Sequence, residues 1–577
     1  MHKFLSRTRA TSSVAGRRCY DLPCGCLSHR LRHSSLVAAA IAAVLGLGTS
    51  ALGQLGPVPA SGDQVLALRD AAITASKDNK VLFPGGNPLG EAALLYRAGK
   101  LATALDKYQA ILRASPNSPQ AYAGIARTYL KQGNLEGAAE TVKKGLASSN
   151  SEDLRVALGE IYFRQGEIPE AEHEWISVVN SGSRNGRAYL GLARVCNALS
   201  LHAKGKAMID KARELDPIDP DIEHEWNKTL PLKDRIGRME SYLESQEGVQ
   251  ANDRANSQLY LEHMKTLVNT AGNCQIVQPR DSAEFPMVPI IADLEHVRGF
   301  GIRVNVNGYK TKLMLDTGAN GILISRRLAE KARLSKMAET RIRAVGDRDE
   351  GRAYVATASS VKIGDLEFRD CPVRVLENQS VVDEDGLIGT DFFEQFIVNL
   401  DFPKQKLQLS ALPKHPLDVF DRDLGSVTRE SQDRSVPPEM DSATRAYRFG
   451  SYLLIPTQVG NSRAKLFVLD TGGFKSQITP GAARQITQLH GLSNTTVTGI
   501  NGTVNNVYSA DNIWLQFGNL PRQSRTLISF DLSSVSNGLG TEISGILGFD
   551  LLKSLDIKID YRDALVDFQY DPKRRDR

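Results

Sequence analysis

One tripeptide, Asp-Thr-Gly, occurs twice in this chain, and the residues around it keep the same register in both places. Lys312–Gly318 reads KLMLDTG, and Lys465–Gly472 reads KLFVLDTG. Asp316 is 38 residues before Tyr354, and Asp470 is 38 before Tyr508; Gly364 and Gly518 each follow their aspartate by 48. Further on, Gly389-Thr-Asp-Phe-Phe-Glu-Gln-Phe aligns with Gly548-Phe-Asp-Leu-Leu-Lys-Ser-Leu, which makes Leu387-Ile388-Gly389 equivalent to Ile546-Leu547-Gly548. Twelve residues beyond each of these glycines stands an aspartate with an aromatic neighbour, Asp401-Phe402 and Asp560-Tyr561. Chance does not keep four registers, so residues 285–412 and 447–572 are read as two copies of one lobe. Short alternating runs such as Val288–Ala292, Ile302–Val306 and Lys312–Leu315 make each lobe all-β. The Pro- and charge-rich stretch 413–446 between them reads as a linker, and 573–577 as a basic tail.

An aspartate that follows an apolar strand and precedes Thr-Gly presents its carboxylate on a tight turn. Alone, such a residue is a turn former or a helix cap. Two of them in duplicated lobes are different, because a pseudo-twofold packing brings Asp316 and Asp470 to the axis. Two carboxylates at about 3 Å share one proton, so the ionised one can activate a water while the protonated one donates to a carbonyl oxygen. That is hydrolysis of a peptide bond with neither a covalent intermediate nor a metal.

These motifs, over residues 285–572, resemble the pepsin/retropepsin superfamily of aspartic peptidases, in particular the retropepsin-like lobes of exported bacterial proteins. The resemblance implies that Asp316 and Asp470 form the catalytic dyad. It implies that Thr317, Gly318, Thr471 and Gly472 support the two active-site loops, and that the two apolar-apolar-Gly segments pass beneath them. The helix-like stretches Asp391–Phe396 and Asp550–Leu555 fit the same pattern. It also offers a flap in each lobe, Val345–Tyr354 and Thr498–Tyr508, with Tyr354 and Tyr508 as candidates to touch substrate; the plainer reading packs each tyrosine under its own hairpin. Where the family usually has Ser or Thr after Asp-Thr-Gly, this chain has Ala319 and Gly473. A carboxylate that loses a hydrogen bond to its charged form has a raised pKa, so a less acidic activity optimum is expected.

Upstream, a second period rules. Gly99, Gly133 and Gly166 recur at 34 and 33 residues, with Ser200 next in phase. Five residues after each comes a small residue (Ala104, Ala138, Ala171, Gly205), and Tyr96, Tyr129 and Tyr162 keep the same step. Residues 88–220 thereby resemble tetratricopeptide repeats: about four helical hairpins whose small and aromatic residues are packing, and whose curved face would take a protein partner. Residues 221–284 are read as a helical cap and connector, and 54–87 as a poorly defined linker. The fold class is therefore multi-domain, an all-α TPR-like solenoid followed by two all-β pepsin/retropepsin-like lobes.

Charge and composition close off other classes. The net charge of +5 sits in residues 1–53, which hold seven Lys/Arg and one acid, leaving the body at −1. That leaves no electrostatic footprint for nucleic acid. The basic start, the apolar run Leu36–Gly48 and the small residues after it read as a signal peptide, or as a membrane anchor if uncleaved. The expected location is exported, periplasmic or secreted. Beyond the leader only Cys196, Cys274 and Cys371 remain, an odd and scattered set that suggests no disulfide framework. No phosphate loop, HExxH or GxSxG is present, so no metal or cofactor is expected. The reading is an exported aspartic endopeptidase, acting on peptide or protein substrate, with repeats that recruit substrate or partner. The alternatives are a catalytically silent peptide-binding protein and an assembly scaffold built on the repeats.

Overall fold

The computed structural model describes residues 87–245, 261, 264–265, 274–291, 296–342, 351–377, 385–414, 436–492, 497–499, 502–504 and 506–572. The leader 1–53, the stretch 54–86, most of the linker and the tail 573–577 lie outside the described residues. No helix among the described residues is long and apolar enough to cross a membrane.

The repeat period becomes four helical hairpins: Pro88–Arg97 with Leu101–Ala114, Pro119–Lys131 with Leu135–Ser148, Glu152–Arg164 with Ile168–Asn180, and Gly186–Ala198 with His202–Leu215. Local chemistry starts the helices. Asn87, Ser118 and Ser151 accept hydrogen bonds from first-turn amides, and Pro88 and Pro119 stand where a missing N–H costs nothing. The in-phase residues Gly99, Gly133, Gly166 and Ser200 all have positive φ, so each turn ends its first helix in the left-handed region. Ala104, Ala138 and Ala171 are fully buried where paired helices touch. Two further helices, Pro220–Asn227 and Leu232–Ser245, extend the array.

The array does not stand apart from the β region. Phe163, Ile168, Ala171 and Trp175 share one buried apolar cluster with Leu454, Leu466, Val468 and Ile546 of the second lobe. The carbonyl of Phe163 accepts from Thr541 Oγ1 at 2.7 Å, and that of Arg164 from the amide of Glu542 at 2.8 Å. The end of the third repeat's first helix is thus docked, through its last carbonyls, onto the lobe that carries Asp470.

The two lobes repeat one topology. In the first, Tyr309–Asp316 runs parallel to Gly386–Gly389, which is antiparallel to Ile322–Ser325, itself parallel to Leu366–Leu376. In the second, Ala464–Leu469, Gly545–Leu547, Gln477–Ile478 and Leu520–Ser529 repeat that sequence of pairings. A six-stranded sheet joins the lobes, with Phe396–Asp401 antiparallel to Asp556–Asp560 at its centre, in register from Ile397↔Asp560 to Asp401↔Asp556. Here the matched Asp401 and Asp560 find their use. Both are buried, and each accepts the amide three residues on, Lys404 at 2.9 Å and Asp563 at 3.1 Å, closing the two equivalent turns.

Two boundaries differ from the sequence reading. Residues 274–284, placed there in the helical cap and connector, contribute to β structure: Gln275–Ile276 pairs with Leu366–Leu376, and Ser282–Pro286, which crosses into the first lobe, is an edge strand of the joining sheet. At the end of the linker, Thr444–Arg445 pairs with Leu565–Gln569 and forms the opposite edge. These segments carry too few alternating residues to announce a strand, and only the neighbouring strands make them so. Cys274 and Cys371 also form a disulfide across 97 residues, contrary to the expectation from an odd cysteine count. The counting failed because one cysteine, Cys196 in the repeats, stays outside the pair. Replacing Cys274 and Cys371 by serine should lower stability by about 2–5 kcal/mol. Denaturant unfolding of both forms checks this, and equal midpoints with and without reductant would refute it.

Candidate active site

The aspartates stand at the ends of parallel-paired strands. Leu315 pairs with Ile388 and Asp316 with Gly389; in the second lobe Leu469 pairs with Leu547, and the Asp470 amide donates to the Leu547 carbonyl at 3.0 Å. The apolar-apolar-Gly segments therefore serve as the floor of each loop.

Asp316 and Asp470 meet at the pseudo-twofold axis, with their carboxyls hydrogen-bonded to each other. The threonines lock the two loops reciprocally. Thr317 Oγ1 donates to the Leu469 carbonyl at 2.8 Å and accepts the Thr471 amide at 3.0 Å; Thr471 Oγ1 donates to the Leu315 carbonyl at 3.1 Å and accepts the Thr317 amide at 3.1 Å. Both side chains are fully buried, so these groups have no water to turn to. The glycines are set by reach across the axis. A Cβ on Gly318 would lie 2.7 Å from Asp470 Cγ, and one on Gly472 would lie 2.4 Å from Asp316 Cγ. Each glycine leaves room for the other lobe's carboxylate.

The electrostatics are not symmetric. Asp470 Oδ1 accepts two amides, Gly472 at 2.9 Å and Gly473 at 2.8 Å, whereas Asp316 Oδ1 accepts Gly318 at 2.7 Å and the Ala319 amide turns 3.5 Å from the Asp316 backbone carbonyl instead. Burial, then the Asp470 charge, holds the Asp316 carboxyl well above the usual carboxylate range. Burial also raises Asp470, but the Gly473 and Gly472 amides and the hydrogen bond from Asp316 oppose it. The pair accordingly shares one proton, with the charged form better held at Asp470 than at Asp316. The Gly473 amide supplies part of what a hydroxyl after Asp-Thr-Gly would have supplied, which the sequence reading did not foresee.

Four further residues complete the site. Asp391 Oδ1 accepts the Gly321 amide at 2.8 Å, and Asp550 Oδ1 accepts the Ser476 amide and hydroxyl at 2.8 and 2.6 Å, tying down the chain just beyond each Asp-Thr-Gly. Burial pushes the Asp391 carboxyl up to about 6. Their signal was in the sequence, since each stands two residues after its glycine, Gly389 or Gly548. Arg374 and Tyr452 left no such signal. Arg374 donates to the Asn320 carbonyl and side-chain oxygen, yet its counterpart by strand pairing is Ile528. The phenol of Tyr452 is held up by burial and by the charges of Asp316 and Asp470, while its counterpart is Gly299.

Tyr354 and Tyr508 go elsewhere. Tyr354 pairs with Glu339 and Val375 and lies under Lys336, whose Nζ is 5.5 Å from the ring centroid. Tyr508 lines a cavity of about 560 Å3 between the repeats and the second lobe, whose walls include neither aspartate. Neither tyrosine's surroundings include the dyad: Tyr354 lies beside Lys336 and Tyr508 on the cavity wall. The hairpin loops 343–350 and 500–501 lie outside the described residues. Among the described residues, no three His, Cys, Asp or Glu side chains are grouped to hold a metal ion.

Paired β lobes that meet at two aspartates, Asp316 buried and Asp470 half-buried, across a reciprocal threonine lock define an aspartic-protease-like site. Residues 302–395 match the family described as gag-polyprotein putative aspartyl protease, and residues 95–150 match the tetratricopeptide repeat. The chain thus carries a retropepsin-like aspartic protease domain and tetratricopeptide repeats. Similar curated proteins include DNA damage-inducible protein 1 of Chaetomium globosum, 30% identical over 114 residues, which are 19% of this chain and 24% of that protein. The UBA domain-containing protein Mud1 of Schizosaccharomyces pombe is 30% identical over 111 residues, 19% of this chain and 32% of that protein. The chain therefore spans about a quarter to a third of the length of the curated relatives it matches. Among solved structures, the aspartic proteinase from Irpex lacteus is 14% identical, with a TM-score of 0.30, covering 50% of this chain and 98% of that one.

Proposed function

We propose that this chain is an exported aspartic-type endopeptidase and that Asp316 and Asp470 are its dyad. The observation that carries the reading is the meeting of the Asp316 and Asp470 carboxyls at a reciprocal threonine lock, each lying against the glycine of the other lobe's Asp-Thr-Gly. In the proposed reaction Asp470 takes a proton from a bound water as its oxygen attacks the peptide carbonyl carbon. Asp316 gives its proton to the carbonyl oxygen. Collapse of the resulting gem-diol breaks the C–N bond, and the amine leaves with a proton returned through the dyad. The repeats would recruit a protein substrate or partner. The disulfide between Cys274 and Cys371 supports export, since such bonds persist in oxidising compartments.

The test incubates the full chain with a mixed peptide library from roughly pH 3 to 8. The active form carries one proton on the pair, so activity falls at low pH as Asp470 protonates and at high pH as Asp316 ionises. Both carboxyls are raised, which moves the whole window upward. Cleavage is expected with an optimum above about pH 4. A sharp optimum near pH 2 would contradict the charge assignment. Absence of cleavage, with peptides retained equally by wild type, Asp316→Asn and Asp470→Asn, would replace the peptidase by a peptide-binding protein.

A further inference from the structure

Between the repeats and the second lobe lies a second cavity, of about 910 Å3, remote from the dyad. Its wall takes residues from the first helix of all four hairpins and is closed by the turn Arg448-Phe449-Gly450 and by Leu539-Gly540. Eight cationic side chains face it against three carboxylates on its wall, Glu160, Asp221 and Glu225, and of the eight Arg187, Lys206 and Arg448 also pair outward with Asp219, Asp210 and Glu394. This excess belongs to a body that is close to neutral, so the charge has been gathered here.

Pairing with acids does not use it up. Glu160 is engaged by Arg187 at 3.2 Å and approached by Arg127 only at 3.7 Å; Glu225 is engaged by Lys228 at 3.1 Å and approached by Arg194 only at 3.9 Å. Asp221 is shared by Arg187 and Lys131. Arg164 has no carboxylate within ion-pair distance among the described residues, and burial and the nearby Arg194 lower the pKa of its guanidinium. The Nε and Nη2 groups of Arg127 are buried and make no hydrogen bond. Buried donors without partners are rare and costly, and guanidinium groups turned toward one another are costlier still. A ligand in the cavity that accepts several hydrogen bonds and carries negative charge would answer the second, at Arg164 and Arg194.

We propose that this cavity binds a small, multiply charged anion, a phosphate ester or an oligocarboxylate. Arg164 and Arg194 are its principal contacts, since their planar forks fit either group in bidentate fashion. The volume is at the upper end of the range of about 300–1,000 Å3 for small-molecule sites and exceeds what a single phosphate fills. Phe163, Phe449 and Leu539 add an apolar portion to the wall, which suits an anion carried on an organic body. The site stands independently of peptidase activity and joins two parts of the chain, so its occupant would strengthen their docking.

The test is isothermal titration of the full chain with tripolyphosphate and, separately, with citrate, at fixed ionic strength set by chloride. Binding with a Kd of about 10 μM or tighter is expected for at least one; which of them binds tells phosphate from carboxylate. Arg164→Gln with Arg194→Gln should weaken it by at least tenfold while leaving the circular dichroism spectrum unchanged, and Arg164→Lys alone should weaken it less. Arg187 is left in place because it is buried among Glu160, Asp219 and Asp221. The proposal is overturned if neither anion binds wild type, if the folded variants bind as well as wild type, or if a glutamate-rich hexapeptide binds where both small anions fail.

Discussion

Asp470→Asn and Asp316→Asn should each reduce peptide cleavage by roughly 10³-fold or more, and the double variant should be hardly worse than either. Asparagine keeps the shape of the side chain but can neither take a proton from water nor hold the one shared across the axis. Groups that act as one unit lose their effect together, so the losses do not add. Stability should move the other way. The Asp316 pKa is raised in the folded protein, so the folded state disfavours its ionised form, and any stability linked to its proton is lost as pH rises through that pKa. Asp316→Asn removes the carboxylate and should leave the Tm near pH 7.5 unchanged or higher. Loss of cleavage with an intact Tm in both variants separates chemistry from folding. Near-wild-type cleavage in either variant would show that the two carboxyls do not share one reaction.

The second large effect concerns the threonines. Thr317→Val keeps the volume but removes the donor to the Leu469 carbonyl and the acceptor of the Thr471 amide; Thr471→Val does the same for the Leu315 carbonyl and the Thr317 amide. Each variant leaves two fully buried backbone groups unpaired, at about 1–3 kcal/mol each. A loss of about 3–5 kcal/mol in denaturant unfolding is therefore expected, together with a fall in cleavage as the carboxyls lose their fixed spacing. A variant that unfolds with the wild-type midpoint would mean that the two loops are held by the lobe packing alone.

Much of this was legible along the chain because a duplicated lobe prints its registers twice. The paired aspartates, their threonines and the apolar-apolar-Gly floors all recur, and so do Asp391 and Asp550, whose role needed the fold. Recurrence is blind to whatever one lobe has and the other lacks. Arg374 stands opposite Ile528 and Tyr452 opposite Gly299, so neither could be found by comparing the copies. Nor does recurrence tell what a shared residue touches: Tyr354 packs against the core of the lobes, whereas Tyr508 lines the cavity beside the repeats.

The sequence by itself determined the local and the repeated: helix period, turn glycines, strand alternation, and two Asp-Thr-Gly turns that only a twofold arrangement can use together. Those follow from backbone sterics and from hydrophobic spacing, which act over a few residues. Tertiary structure alone made the two carboxyls unequal, because Asp316 is the more deeply buried while Asp470 Oδ1 accepts both the Gly472 and Gly473 amides. It alone joined Cys274 to Cys371, seated the repeats on the lobe of Asp470, and gathered arginines from separate helices around one cavity. Each of these rests on contacts between residues far apart in the chain, where burial and charge act through space and spacing along the sequence carries no trace of them.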